Sequence, residues 1–375
     1  MINEKRLVDT FIELVKIPSP SREESKLAQY IKRIFEDMGE KPFFDNAGKK
    51  VGSNTNNLII KIKGKKGNPV LLSTHMDTVK PCDKVNPVID GDIIKSDGTT
   101  ILGADAKSGI VAIIEAVRIL KEKNLSHPPL EIVFTISEEI GLLGAKNLDY
   151  SLISAKEGYE LDSGDIEKII NRAPGANRLT IKVYGKEAHA GSSPEQGINA
   201  IKILSEAITN MQLGRLDRET TANIGTIQGG TATNIVPNYA EAKGEVRSHD
   251  EEKLKYYTLL MRKCVWQAVR NNAKYIEGKL VFPRSEEHVL REYNIMRIDE
   301  EDGIIRKVKE AGKKAGICMQ VDISCGGSDA NVFNEHGIKT VVLGTGMSKV
   351  HTKEEFIKIS DMVKCVEVLV NLLTI

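Results

Sequence analysis

The spacing of apolar residues divides the chain into alternating helices and strands. Apolar residues that recur every three to four positions predict helices at 3–16, 22–38 and 106–123. Apolar runs that contain β-branched residues predict strands at 56–64, 68–75 and 129–137, and a further short strand is predicted at 158–164. Strands that alternate with helices indicate βαβ units, so we expect an α/β fold with a mainly parallel sheet.

The pattern changes near Pro174. The elements that follow are predicted in the order β-α-β-β-α-β, at 178–185, 197–211, 221–230, 240–248, 251–272 and 273–282. This order matches a ferredoxin-like α+β unit. A chain of 375 residues is long enough for two domains. We therefore expect one domain formed by 1–174 and 289–375, with a second domain, 175–288, inserted into it.

The first pattern returns after about residue 288. Helices are predicted at 303–316, 329–337 and 354–375, and a strand is predicted at 339–346. Thr352 and Glu355 have the spacing of a capping box, so we expect them to begin the last helix.

Charge and composition exclude several classes of partner. Lys plus Arg number 53 and Asp plus Glu number 52, and a net charge of +1 gives no field that would attract nucleic acid or an anionic membrane. No apolar window approaches the roughly 18 residues of a membrane span, and the acids in the N-terminal segment are unlike a signal peptide. The five cysteines form no C-x-x-C pair, so we expect a reducing, cytoplasmic location.

Acids and histidines gather at the predicted carboxyl ends of strands, where ligands of open parallel sheets bind. The set is His75, Asp77, Asp105, Glu138, Glu139, Asp162 and His351. Taken singly, each has an ordinary alternative, such as a helix cap for Asp105 or a solvated turn for the two glutamates. Several buried carboxylates without a cation would be very costly, however, so the set predicts a metal site.

These residues suit two zinc ions. Zinc takes about four ligands from histidine and carboxylate, and two ions about 3.5–4 Å apart need a bridging carboxylate and a bridging water. Each ion would take one histidine and one terminal carboxylate, and both would share Asp105 and the water. The metals and the three carboxylates Asp105, Glu139 and Asp162 then leave one positive charge, which favours ionising the water to a hydroxide nucleophile. Manganese or cobalt could occupy the same ligands.

Two acids remain for other roles. Asp77 lies two residues from His75, on the same side of an extended chain, so it can accept the ring N–H and orient the imidazole. A general base must take a proton from the attacking water and give it to the leaving amine. Glu138 is free for that role.

The motifs that carry these residues resemble those of a known superfamily. They are H-x-D (75–77), G-A-D-x-K-x-G (103–109), S-E-E-x-G (137–141), then an aspartate and a final histidine. As a set they resemble the zinc-dependent exopeptidases that include peptidase T, carboxypeptidase G and the aminoacylases. G-G-S-D-A-N-V-F-N-E-H-G-I (326–338) and V-H-T-K-E-E (350–355) are most similar to the peptidase T and tripeptidase branch.

This resemblance implies a role for each site residue. One zinc would bind His75 and Asp162, the other would bind Glu139 and His351, Asp105 would bridge them, and Glu138 would be the base. The resemblance also implies a cis peptide after Asp105, where Ala106 replaces the second aspartate of many relatives. An aspartate at the position of Asp162 accompanies the aminopeptidase and dipeptidase branches.

The inserted domain contains three further candidates, His189, Asn234 and Arg247. Each has an ordinary alternative as a loop residue, a turn former or a surface charge. An arginine can bind the carboxylate at the end of a short peptide in a bidentate manner, and a tetrahedral intermediate needs a donor for its oxyanion. The resemblance implies these roles for Arg247 and His189, with Asn234 beside them, in a lid that forms a two-fold homodimer and supplies the histidine from its own or the partner subunit.

The sequence thus predicts a di-zinc aminopeptidase that acts on short peptides, most readily tripeptides. A deacylase or carboxypeptidase of the same fold is the first alternative, and a non-catalytic, metal-stabilised peptide-binding dimer is the second. The deacylase differs from the aminopeptidase in needing no free α-amino group on its substrate.

Overall fold

Two units make up the computed structural model, which describes residues 2–375. The first unit contains the chain up to Ala173 and Met296–Ile375, and the inserted unit is Pro174–Ile295. The chain enters the inserted unit one residue from the predicted boundary after 174. It leaves the inserted unit later than the predicted boundary after 288, because a strand of the inserted sheet continues to residue 293.

The elements of the described residues are as follows. The strands are β1 (Phe43–Phe44), β2 (Leu58–Ile62), β3 (Val70–His75), β4 (Pro87–Asp90), β5 (Ile93–Ser96), β6 (Leu130–Thr135), β7 (Glu157–Ser163), β8 (Lys168–Ala173), β9 (Gly175–Tyr184), β10 (Gly214–Arg215), β11 (Thr220–Gly229), β12 (Tyr239–Ser248), β13 (Lys274–Ile276), β14 (Lys279–Val281), β15 (Arg284–Tyr293), β16 (Met296–Arg297), β17 (Gln320–Ile323), β18 (Lys339–Gly344), β19 (Met347–Ser348) and β20 (Phe356–Lys358). The α-helices are α1 (Glu4–Val15), α2 (Ser25–Asp37), α3 (Ala47–Val51), α4 (Ala104–Glu122), α5 (Leu143–Lys146), α6 (Ala200–Thr209), α7 (Glu251–Asn271), α8 (Gly303–Lys314), α9 (Asp329–Glu335) and α10 (Ile359–Thr374).

The large sheet of the first unit has the strand order β1-β2-β6-β3-β7-β18-β8-β16, with β17 also paired to β8. Its centre, β6-β3-β7-β18, is parallel. The register pairs His75 with Thr135, so the carboxyl ends of β3 and β6 lie side by side. The predicted α/β class with a mainly parallel sheet is confirmed.

Helix α4 explains why the sequence has such a wide apolar stretch after residue 106. The helix packs against β3 and β7 and also against α1 and α10. Its side chains are therefore covered on nearly every side, and Ile110, Ile113 and Val117 are all buried. Burial of this kind is the main favourable term that fixes α4, and its N-terminal end, on the sheet.

The inserted unit has the predicted ferredoxin-like arrangement. Its antiparallel sheet has the order β10-β11-β12-β9-β15, and α6 and α7 pack on it. The predicted fourth strand at 273–282 is wrong, since this segment is the two-stranded hairpin β13–β14, which turns at Glu277 and Gly278. The long strand that takes its place in the inserted sheet is β15, whose mixed polar and apolar sequence does not show a strand pattern.

The last helix begins later than the pattern indicated. Helix α10 starts at Ile359, and the residues before it form β20 in a small sheet with the order β19-β20-β5-β4. The predicted capping box of Thr352 and Glu355 is therefore wrong. None of the helices in the described residues combines the length and the apolar character that crossing a bilayer requires.

Candidate metal centre

The predicted site residues of the first unit meet at the carboxyl edge of its sheet. His75 is the last residue of β3, Asp162 lies near the end of β7, and the two glutamates follow β6. His351 lies in the loop after β19, in the left-handed backbone region with a φ of 63°. The residues at the ends of β6, β3 and β7 come together at one edge because these three strands run in the same direction.

Asp105 lies between the two histidines. Its Oδ1 is 3.0 Å from His75 Nε2, and its Oδ2 is 3.1 Å from His351 Nε2. The residue lies at the start of α4, where Asp105 and Ala106 depart from helical dihedral angles and are joined by a cis peptide. Each oxygen of one carboxylate therefore faces a different imidazole, which is the arrangement of a bridging ligand.

Each histidine has a second carboxylate beside it. His75 Nε2 is 3.4 Å from Asp162 Oδ1, and His351 Nε2 is 2.9 Å from Glu139 Oε1. Two ligands of one tetrahedral zinc lie about 3.3 Å apart, given zinc–ligand bonds of about 2.0–2.1 Å. Donor atoms of His75, Asp105 and Glu139 all lie within 4.8 Å of one another. The donor types and their spacing therefore fit divalent metal ions.

The electrostatics of this cluster also favour cations. Burial raises the pKa of Asp162 to about 7, and burial together with the charge of Asp162 raises the pKa of Glu138 well above its usual value. Hydrogen bonds to Asp105 and Glu139 raise the pKa of His351 to about 10. For Asp105, the two imidazoles outweigh the opposing effect of burial and lower its pKa. These shifts describe a concentration of negative charge that divalent ions would neutralise.

Asp77 contacts more of the site than the sequence indicated. His75 Nδ1 is 2.9 Å from the Asp77 backbone oxygen and 3.4 Å from its carboxylate. The Asp77 carboxylate accepts the backbone N–H groups of Glu138, at 2.9 Å, and Glu139, at 3.2 Å. It also accepts the hydroxyl of Ser21 at 2.6 Å. Asp77 therefore fixes both the imidazole and the turn that carries the two glutamates.

Glu24 is a site neighbour that the sequence pattern did not reveal. Its side chain is fully buried, and Oε1 accepts the backbone N–H of Ser137 at 2.9 Å and the Ser137 hydroxyl at 3.0 Å. Oε2 accepts the hydroxyl of Ser53 at 2.8 Å. Ser137 has a positive φ of 54° and directly precedes Glu138. Glu24 thus stabilises the strained turn from which both glutamates project.

In the inserted unit, His189 and Asn234 belong to neighbouring loops, and both are exposed. A bridge between His189 and Ile235 joins the loops, and the backbone N–H of Ala190 donates to the Asn234 carbonyl at 2.9 Å. His189 Nδ1 accepts the backbone N–H groups of Gly191 and Ser192, each at 3.1 Å. Its proton therefore resides on Nε2, which leaves Nε2–H as an outward donor.

Arg247 lies at the other end of the same sheet. In the register it faces Ala176, near the start of β9, whereas the loop of His189 follows Tyr184 at the end of β9. The Arg247 guanidinium donates to the Glu245 carboxylate at 3.1 Å. The structure therefore brings His189 and Asn234 together but places Arg247 apart from them within one chain.

Three family models match different parts of the chain. The peptidase dimerisation domain of the M20 family matches residues 171–271, peptidase family M28 matches 57–171, and the M42 glutamyl aminopeptidase model matches 296–368. All three describe peptidases or a peptidase domain, and the first of them covers most of the inserted unit.

Close relatives match the chain over its whole length. The crystal structure of aminopeptidase PepT from Bacillus cereus ATCC 10987 is 38% identical, with a TM-score of 0.88, and covers 100% of this chain and 98% of its own. A tripeptidase structure from Staphylococcus aureus subsp. aureus Mu50 is 35% identical, with a TM-score of 0.92 and the same coverage. The uncharacterized protein YqjE of Bacillus subtilis strain 168 is 41% identical over 100% of this chain and 99% of its own. This chain belongs to the peptidase T-like members of the M20 family.

Membership of this family decides between the broad alternatives. The peptidase T-like chain is a metallopeptidase, and more specifically an aminopeptidase that acts on peptides. The alternative of a non-catalytic peptide-binding dimer is therefore not supported. At the sheet edge, His75, Asp105 and Glu139 form a group that could hold a metal ion, as a metallopeptidase requires.

Proposed function

We propose that this peptidase T-like chain is a di-zinc aminopeptidase that releases the N-terminal residue from tripeptides. The observation that carries the proposal is the position of Asp105, whose two carboxylate oxygens face His75 at 3.0 Å and His351 at 3.1 Å. A carboxylate that reaches one histidine with each oxygen suits a pair of metal ions better than a single ion.

The proposed ligands form two matching sets. His75, Asp162 and Oδ1 of Asp105 would bind one zinc, and His351, Glu139 and Oδ2 of Asp105 would bind the other. When bound, two such ions would supply the activation of a water and the polarisation of the carbonyl of the first peptide bond. Zinc is the metal we propose, although manganese or cobalt fits the same donors.

Glu138 is the proposed proton carrier. Its side chain is largely buried, and its backbone is fixed by the Asp77 carboxylate. Burial raises its pKa well above the usual value of a glutamate, which makes it a better acceptor of the proton that the attacking water loses. The same group then returns the proton to the leaving amine, as a general base in peptide hydrolysis must.

The inserted unit would bind the ends of the substrate. Arg247 is proposed to pair with the C-terminal carboxylate of the peptide in place of Glu245. The Nε2–H group of His189 is proposed to stabilise the oxyanion, with Asn234 as a further donor to the substrate beside it.

Distance supports the view that His189 and Arg247 of one chain do not serve the same substrate. Between the Ala176 and Tyr184 positions, β9 advances roughly 27 Å at about 3.4 Å per residue, whereas a tripeptide extends at most about 11 Å. We therefore propose that His189 acts in the active site of the partner subunit of a homodimer.

The dimer would form through the inserted unit. The match to a peptidase dimerisation domain supports this proposal. So does β11, since within the described residues β10 pairs only with its first part and leaves the exposed segment 225–229 at the sheet edge. A cytoplasmic location is also proposed, on the ground that the five cysteines are free thiols.

A peptide panel with metal analysis tests the function. The purified chain should release the N-terminal residue from a tripeptide with a free amine, and N-acetylation of the same tripeptide should abolish turnover. Elemental analysis should find about two zinc ions per chain. Turnover of N-acylated amino acids, or release of the C-terminal residue, would instead establish the deacylase or carboxypeptidase alternative.

A further inference from the structure

Glu355 is a buried carboxylate that contacts the segment leading into α4. Only 1% of the residue is exposed. Oε2 accepts the backbone N–H groups of Leu102 and Gly103, each at 2.8 Å, and Oε1 accepts the backbone N–H of Asp105 at 3.0 Å. Both oxygens of the side chain are therefore used to fix the segment 102–105.

This segment depends on an acceptor from elsewhere in the chain. Gly103 has a positive φ of 78°, and Asp105 lies outside the helical region, so the helix itself does not satisfy these N–H groups. Leu102 and Asp105 are both buried, which leaves little water to replace the carboxylate. A charged acceptor forms stronger hydrogen bonds with backbone N–H groups than a neutral one.

Glu355 also lies four residues after His351, in the same loop. The Asp105 backbone bonds to Glu355, and the Asp105 side chain lies 3.1 Å from His351 Nε2. These contacts close a ring that contains Asp105 and the chain from His351 to Glu355. The bridging carboxylate and the histidine of the second half of the site are therefore placed relative to each other by Glu355.

We propose that Glu355 is a positioning residue that fixes Asp105 and His351 in the geometry needed to bind the second metal ion. This inference rests on the proposed two-metal function. It assigns to Glu355 no contact with substrate or metal. This role differs from a purely structural one, since it requires loss of Glu355 to weaken zinc binding, most of all at the second site, rather than only to lower stability.

The test compares E355Q with a matched buried carboxylate of the same unit. Glu131 is 4% exposed and accepts the backbone N–H groups of Ser154, at 2.7 Å, and Ala155, at 2.8 Å. Glu131 is not among the site residues. E131Q therefore weakens a comparable set of hydrogen bonds to the backbone, but outside the proposed metal site. A second control, E354Q, changes the exposed neighbour of Glu355, which pairs with Lys349 at 2.6 Å.

Zinc affinity is measured by competition with a chromophoric chelator, alongside the melting temperature of each metal-free protein. We expect E355Q to weaken the second zinc site by roughly 10- to 100-fold, as loss of a partner that orients a metal ligand does. E131Q should lower the melting temperature by a similar amount and leave both zinc affinities within about twofold, given its separation from the ligands. E354Q should change neither quantity.

Equal zinc affinities in E355Q and the wild type would overturn the inference, as would equal weakening in E355Q and E131Q. If E355Q does not fold, E355D is measured in the same way, and full zinc affinity in E355D would overturn it too, because the shorter side chain cannot reach all three N–H groups. A wild-type chain that binds fewer than two zinc ions would instead refute the proposed function.

Discussion

Glu138 and Glu139 are adjacent in the chain but lie in different surroundings. Glu139 Oε1 is 2.9 Å from His351 Nε2, whereas Glu138 is a buried acid whose pKa is raised by desolvation and by the charge of Asp162. Both backbones are fixed by the Asp77 carboxylate. The turn therefore presents one carboxylate to a histidine and leaves the other, the proposed proton carrier, buried.

Glu138→Gln should abolish most turnover while leaving the metals in place. The amide has nearly the shape of the carboxylate but cannot accept a proton, so we expect kcat to fall roughly 10²- to 10⁴-fold. Steady-state kinetics on a tripeptide, combined with elemental analysis, checks this expectation. A variant with near-normal kcat would show that another group carries the proton.

Glu139→Ala should fail in a different way. Removing this carboxylate leaves His351 and Asp105 as the remaining proposed ligands of the second half of the site. We expect the variant to bind about one zinc ion per chain instead of two, since an ion with fewer protein ligands binds more weakly. Elemental analysis after dialysis against a weak chelator measures the ratio. Two tightly bound ions in this variant would exclude Glu139 as a ligand.

Metal affinity should rise with pH. In the metal-free protein the pKa of His351 is raised to about 10 by its bonds to Asp105 and Glu139, and the pKa of His75 is raised as well. Both rings are therefore protonated at neutral pH and must lose their protons before they bind metal, and Asp162, with a pKa of about 7, is partly protonated as well, so zinc binding should release between about two and three protons. Calorimetric titrations in buffers of different ionisation enthalpy count them. An affinity that does not change between about pH 6.5 and 8.5 would contradict this assignment of ligands.

The residues that the sequence placed together are those at the ends of parallel strands. His75 and Asp162 could be placed because each lies at the carboxyl end of a predicted strand, and the carboxyl ends of parallel strands share an edge. Glu24 and Glu355 could not, because both act by accepting backbone N–H groups of distant segments. No residue type or spacing marks such an acceptor.

Elements at the sheet margins were also harder to predict than central ones. Strand β15 lies at the edge of the inserted sheet with the exposed side chains of Val289 and Leu290, so its pattern does not alternate as that of a half-buried strand does. The segment before α10 is predicted to belong to the last helix, with Thr352 and Glu355 as its capping box. Tertiary contacts of Glu355 with the segment 102–105 override that local preference.

Mixed dimers should show whether His189 serves the partner subunit. As homodimers, H189A and E138Q should each be nearly inactive, because one lacks the oxyanion donor and the other lacks the proton acceptor. In a mixed dimer, the H189A subunit retains its own Glu138 and receives His189 from the E138Q subunit, so one of the two sites is complete. Random mixing makes half of the dimers mixed, and we expect about a quarter of wild-type activity. Separate affinity tags on the two subunits allow the mixed dimer to be isolated and assayed alone. If His189 acts within its own chain, neither site of the mixed dimer is complete, and the isolated species will be as inactive as the two parents.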